Sequence, residues 1–157
     1  MPHAPLTPLG AVIRGAAAGV AGTALMTAAQ LAYYKATGAE PSSTPGEVGK
    51  RVVEGVLHRE APPADSKVLN EGMHWFYGSS WGIPYGIVAG SRREPAPVLR
   101  SALALGLAVW GGSLVQLPAM KLSPPLWEMP PASIAPDVGF HLVYGLGGAI
   151  AFRALRG

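Results

Sequence analysis

Two short segments hold most of the residues able to do chemistry. Asn70 to Gly78 reads N-E-G-M-H-W-F-Y-G, and Asp137 to Gly145 reads D-V-G-F-H-L-V-Y-G. Both fit the pattern [N/D]-x-G-x-H-x-x-Y-G. Imidazole titrates near neutral pH and is a common metal ligand. Each histidine lies four residues after Asn70 or Asp137 and three before Tyr77 or Tyr144, so on a helix all three share a face. Gln30 and Gln116 are spaced to enter the same layer from two other helices. The candidate ligand-binding set is therefore His74, His141, Tyr77, Tyr144, Asn70, Asp137, Gln30 and Gln116. Such a cluster could bind a divalent metal, ligate haem through both imidazoles, relay protons, or hydrogen-bond a quinone or lipid head group. A narrower metal set is His74, His141, Glu71 and Asp137. Glu71 and His74 have the Glu-x-x-His spacing of di-iron bundles, but Val138 replaces the glutamate in the second copy. The competing reading is a purely structural hydrogen-bond layer that ties helices together.

The elements that must carry these residues are apolar helices. Charged residues make up 13% of the 157, about half the ~25% usual in soluble domains, and the mean hydropathy is +0.27. Glycine is abundant at 21 residues, as suits closely packed membrane helices. With no cysteine, disulfides, thiolate ligands and a cysteine nucleophile are excluded. The net charge is +3, but no basic run is interleaved with aromatics, so nucleic-acid binding is not expected.

The expected fold class is all-α: one polytopic membrane domain over residues 1–157 with four transmembrane helices, at about 10–34, 72–90, 98–117 and 137–155. Met1 to Pro8 reads as a short disordered tail. Lys35 to Glu71 is a polar linker. Within it, Thr44-Pro45-Gly46-Glu47 resembles a helix start, and Val48, Val52, Val53, Val56 and Leu57 then fall on one face. That predicts a short amphipathic helix in the first outer loop. Pro84 is placed to kink the second membrane helix. Pro118 to Pro136 carries six prolines and reads as a semi-rigid loop.

The four helices read as two duplicated hairpins, repeat 1 at 10–90 and repeat 2 at 98–157. Arg14, Gln30 and Lys35 recur at a constant spacing as Arg100, Gln116 and Lys121, and His74, Tyr77 and Gly78 recur as His141, Tyr144 and Gly145. Repeats of two spans each share an orientation and are related by a two-fold axis along the membrane normal. Arg92, Arg93 and Arg100 mark a cytoplasmic loop by the positive-inside rule. Both termini then face the cytoplasm, and the aromatics Tyr33, Tyr34, Trp75, Phe76 and Trp127 fall at the outer interface. Arg14, Arg100 and Arg153 lie near the inner surface, where snorkelling to phosphates is expected.

Gly78, Gly82, Gly86 and Gly90 recur every fourth residue, as in a glycine zipper, with Gly15 and Gly19 as their expected partners and Gly145 echoing them in the last helix. There is no nucleophile–base pair, phosphate-binding loop or pair of catalytic carboxylates. The Gly-x-x-x-Gly runs follow no strand and are not dinucleotide fingerprints.

Leu117 to Tyr144 resembles the C-terminal half of the YagU-like bacterial inner-membrane proteins. The matching residues are Pro118, Leu122, Ser123, Pro124, Pro125, Glu128, Pro130, Gly139, His141, Leu142 and Val143. The resemblance covers about a third of the chain and implies an inner-membrane location with four spans. It implies no reaction, the family's activity being undefined. The functional expectation is a non-enzymatic accessory or assembly subunit, or an oligomeric scaffold, in contact with lipid and with other membrane subunits or itself. The alternative is a ligand-handling protein that uses the paired histidines for proton or ion transfer, or for haem, metal or quinone binding.

Overall fold

A computed structural model describes residues 4–64 and 66–156, and all regular structure among them is helical. Helix α1 spans Pro8–Thr37, α2 Thr44–Gly55, α3 Lys67–Gly90, α4 Val98–Ala119 and α5 Pro131–Arg156, with a 3-10 turn at Leu126–Glu128 before α5. Residues 1–3 of the expected tail lie outside the described residues, but its end is structured, contrary to expectation: the Leu6 N–H donates to the Gly90 carbonyl at 3.0 Å, Thr7 caps α1 and Pro8 belongs to it. Local signals explain most boundaries. The Thr7 side chain accepts from the Gly10 N–H at 3.2 Å, and Pro8 opens α1 where its missing N–H costs nothing. Gly38, at φ +70°, ends that helix in the left-handed conformation.

Two elements start earlier than the sequence predicts. Helix α3 begins at Lys67, five residues before Gly72, because Ser66 caps it. Helix α5 begins at Pro131, so the last six residues of the proline-rich segment are helix instead of loop, and its first two, Pro118 and Ala119, belong to α4. Pro131 fits a first turn, and Pro136 removes a single backbone bond where the helix is only beginning. Pro124, Pro125 and Pro130 stay outside regular α-helix.

Three helices among the described residues are long and apolar enough to cross a membrane: α1, α4 and α5. The expected fourth, α3, is not among them. Its first two turns carry Lys67, Asn70, Glu71 and His74, and its later turns are rich in glycine and serine, which contribute little hydropathy. The three qualifying helices suggest a membrane protein. Their outward residues are apolar, among them Ile13, Leu31, Leu103, Leu107 and Ile150.

Helix α1 is central, packed on α3 along one side and on α5 along the other, with α4 on the far side of α5 and α2 on α3. The α1–α3 crossing is antiparallel and made of backbone. A methyl on Gly15 would meet the Gly82 carbonyl, one on Gly19 the Gly78 carbonyl, and one on Gly86 the Ala11 carbonyl. Gly78 lies against Thr23, whose hydroxyl is turned back to its own Gly19 carbonyl at 2.8 Å. The α4–α5 crossing is built likewise: a methyl on Gly106 would meet the His141 carbonyl, and one on Gly145 the Ala102 carbonyl. Between the two crossings sits the core of Met26, Leu105, Val109 and Tyr144, with Trp81 and Phe140 against it. At the end where the arginines gather, the Arg14 Nε donates to the Leu155 carbonyl at 2.8 Å and ties α1 to α5.

Adding a methyl at the α1–α3 crossing should separate the helices. Gly82→Ala is expected to lower stability by about 1–3 kcal/mol, as overpacking does. Gly72→Ala, where a methyl meets nothing within 4 Å, should leave stability unchanged or raise it slightly. Unfolding in mixed micelles with rising dodecyl sulfate, followed by circular dichroism, distinguishes the two. Equal effects would refute the backbone crossing.

Candidate functional site

The end of the bundle opposite the arginines holds the candidate polar residues, and the structure distributes them among separate pairs. The Tyr77 hydroxyl on α3 donates to the Gln116 Oε1 on α4 at 2.9 Å. The Gln116 amide nitrogen faces the Met120 sulfur at 3.9 Å. The Tyr144 hydroxyl on α5 crosses to the Gly78 carbonyl of α3 at 2.6 Å. Tyr144 is only 1% exposed and is one of the largest fully buried side chains. Its ring lies against Gly22 of α1, whose lack of a side chain makes room for it. A single residue therefore bridges α5, α1 and α3.

The two histidines occupy unlike surroundings. His74 Nε2 lies 3.2 Å from the Thr27 hydroxyl of α1. His141 Nδ1 lies 2.8 Å from the carbonyl of Asp137, one turn earlier on the same helix, and 3.5 Å from that residue's carboxylate. A carbonyl only accepts, so Nδ1 of His141 carries the proton, and a neutral ring keeps its lone pair on Nε2. The other carboxylate oxygen of Asp137 accepts from the Trp110 indole N–H of α4 at 2.8 Å. Aspartate, histidine and tryptophan thus lock the start of α5 to α4.

Asn70 is directed away from the histidines. Its amide oxygen accepts from the Gly46 N–H at 2.8 Å and its nitrogen donates to the Ser42 carbonyl at 3.2 Å, which fixes α2 onto α3. That contact is close, since a methyl on Gly46 would strike the Ala64 carbonyl. Gln30 is half-buried and Glu71 is exposed, and neither enters these bonds. Among the described residues no three His, Asp or Glu side chains form a group that could hold a metal ion, so His74, His141, Glu71 and Asp137 are not gathered into one ligand set. The helix-packing candidates behave differently. Gly15, Gly19, Gly78, Gly82 and Gly86 all meet at one crossing, Gly90 packs beside Ala11 and Leu6, and Gly145 serves the second crossing.

Thr27 and Trp110 were missed because each was read as part of an apolar helix. A signal for Thr27 was present: it continues the four-residue register of Gly15, Gly19 and Thr23. Trp110 gave none, since its indole partner is 27 residues away.

Family models, curated proteins and solved structures were compared with the chain, and none matches it.

The Tyr77–Gln116 bond joins α3 to α4 directly, side chain to side chain, and it can be weighed. A double-mutant cycle of Tyr77→Phe and Gln116→Leu should give a coupling of about 0.6 kcal/mol, the usual size for such bonds between membrane helices. Tyr144→Phe removes a bond from a buried carbonyl and should cost about 1–2 kcal/mol. A coupling near zero in the cycle would mean that the two helices are not held there.

Proposed function

We propose that this chain is a small, non-enzymatic integral membrane protein that acts as an accessory or assembly subunit, or as a scaffold, through the polar end of its bundle. The observation that carries this reading is the way the polar side chains are used. Tyr77, Tyr144, Asp137, Asn70 and both histidines are engaged with other parts of the same chain, as in a layer that sets helix positions. Large apolar residues stay uncovered at the same end. Val56, Leu57, Val68 and Trp127 are 58–84% exposed, and a shallow apolar hollow between α2 and α3 is lined by Val52, Val53, Leu69 and Phe76. Exposed apolar area outside the lipid-facing belt suits a protein partner or a second copy.

In this reading α3 is the fourth crossing of a four-helix bundle. It lies antiparallel to α1 along the glycine zipper and presents Phe76, Ile87 and Val88 outward. Helix α2 is an amphipathic cap on the outer side, with Val48 buried and Arg51 and Glu54 exposed. The arginine-rich end faces the cytoplasm with both termini, in a bacterial inner membrane, as the YagU-like resemblance implies. Duplication of a hairpin accounts for two crossings built in the same manner. The crossings are not in the register that the repeated motif implies. Gly145 occupies the place of Gly82, with Ala102 and Gly106 standing for Gly15 and Gly19, whereas the motif aligns Gly145 with Gly78. One copy has slid by about a turn.

The ligand-handling alternative rests on one observation: the Nε2 of His141 is not committed by the Nδ1 contacts. Two measurements separate these readings. Because the chain has no cysteine, Ser42→Cys and Ser91→Cys introduce unique thiols. An impermeant maleimide should label Ser42→Cys from the periplasmic side only and Ser91→Cys from the cytoplasmic side only. Labelling of both from one side would remove α3 as a crossing. For the histidines, the double variant His74→Gln, His141→Gln should fold less stably by about 1–2 kcal/mol if they only brace helices. An unchanged stability, together with an absorption band or metal content that the substitution abolishes, would favour the alternative.

A further inference from the structure

The α1–α5 contact has no counterpart between α3 and α4, which do not pack along one another. Trp81 against Gly112 and the Tyr77–Gln116 bond bridge them toward the polar end. Toward the other end they leave a cleft of about 210 Å³. Four arginines line it: Arg92 from the α3–α4 loop, Arg100 from α4, and Arg153 and Arg156 from α5. No aspartate or glutamate is among the lining residues. The remaining walls are largely apolar, with Val88, Ala104, Ala149 and Phe152, and Tyr85 stands edge-on to Phe152 at 5.3 Å between ring centroids.

Arg156 is already positioned. It donates to the Ala89 carbonyl at 2.7 Å and to the Arg92 carbonyl, so the end of α5 is fixed to the end of α3. Its Nε is buried and has no hydrogen-bond partner among the described residues. That guanidinium carries its charge beside a cleft with no carboxylate in its lining, so an anion bound there would face uncompensated positive charge. The other three arginines have exposed side chains at the mouth. Val88 lines the cleft and is 56% exposed, so the cleft runs out onto the apolar flank of the bundle.

We propose that this cleft binds an anionic phospholipid, its phosphate held by Arg92, Arg100, Arg153 and Arg156 and the start of an acyl chain lying along Val88, Ala104 and Phe152. Guanidinium groups match phosphate oxygens in charge and geometry. Basic pockets between membrane helices on the cytoplasmic side are suited to anionic head groups. Apolar walls continuous with the lipid-facing surface distinguish a lipid phosphate from a soluble one. The membrane reading above supplies only the source of the phosphate, and the thiol-labelling experiment tests that reading separately.

Delipidated protein in a neutral detergent is titrated with dioleoylphosphatidylglycerol, dioleoylphosphatidylcholine and glycerol 3-phosphate, and bound ligand is counted by native mass spectrometry. Phosphatidylglycerol should bind at least about tenfold more tightly than phosphatidylcholine, and more tightly than glycerol 3-phosphate. The double variant Arg100→Gln, Arg153→Gln should bind phosphatidylglycerol about thirtyfold more weakly, at ~1 kcal/mol for each basic residue near the head groups. Arg156 is left intact because its bonds brace the fold. Arg93→Gln, which removes an arginine outside the lining, should change affinity by less than about twofold. Equal binding of the two lipids, or equal losses in Arg93→Gln and the double variant, would overturn the site. Glycerol 3-phosphate binding as tightly as phosphatidylglycerol would overturn the lipid as its occupant.

Discussion

The structure depends on how closely α1 and α3 approach. Carbonyls of one helix lie against the Cα atoms of the other over Ala11, Gly15 and Gly19 facing Gly78, Gly82 and Gly86. Between helices in lipid there is no hydrophobic drive, because acyl chains are as apolar as leucine, so association rests on packing and on hydrogen bonds. Glycine faces supply the packing. They let two backbones meet over a long surface and gather many small dispersion contacts. They also explain how a helix as modest in hydropathy as α3 holds its place: it is anchored through its spine. The cost is that α3 has few large side chains on that face to reach anything else.

That limitation shapes the other half of the molecule. Tyr144 supplies the bulk that the glycines cannot, filling the space beside Gly22 and reaching Gly78 across the bundle. The second crossing, through Gly106 and Gly145, holds α4 on α5. The bundle is therefore a chain of contacts from α3 through α1 and α5 to α4. A ring of four equal contacts, as an undistorted two-fold would give, is not formed. The gap that stays open between α3 and α4 is crossed by aromatic and polar side chains at one end and lined by arginines at the other. The Tyr77–Gln116 bond and the basic cleft both lie along that open side.

Much of this was legible in the chain. The glycine register pointed to Gly15 and Gly19 as neighbours of α3, because a four-residue period of residues without side chains has few uses other than close approach, but it did not pair individual residues or bring in Ala11 and Thr23. The positions of α1, α4 and the body of α5 followed from apolar runs. Three features were not legible. The start of α5 at Pro131 was hidden because proline reads as a breaker, although at a first turn it is compatible with a helix. The shortfall of α3 as a span was masked because its glycine register is that of a packed membrane helix, while Lys67, Asn70, Glu71, His74 and the later glycines and serines keep its hydropathy low. The dispersal of the polar cluster was hidden for a different reason: sequence spacing places residues on a face, but rotation and slide of one helix against another decide which faces meet.

His74 and His141 match in sequence, yet one meets a hydroxyl on a neighbouring helix and the other its own helix's carbonyl. The slide of about one turn between the crossings is sufficient cause. At the α1–α3 crossing the carbonyl of Gly78 faces Gly19; at the α4–α5 crossing it is the carbonyl of His141 itself that faces Gly106. The His141 backbone therefore lies within the contact and its ring is turned to Asp137, while His74 stands one turn beyond the equivalent point and reaches Thr27. A site that needs two equivalent imidazoles would be spoiled by such a slide. A layer that only needs each helix end braced would tolerate it, with Asp137 and Trp110 providing on one side what Thr27 provides on the other.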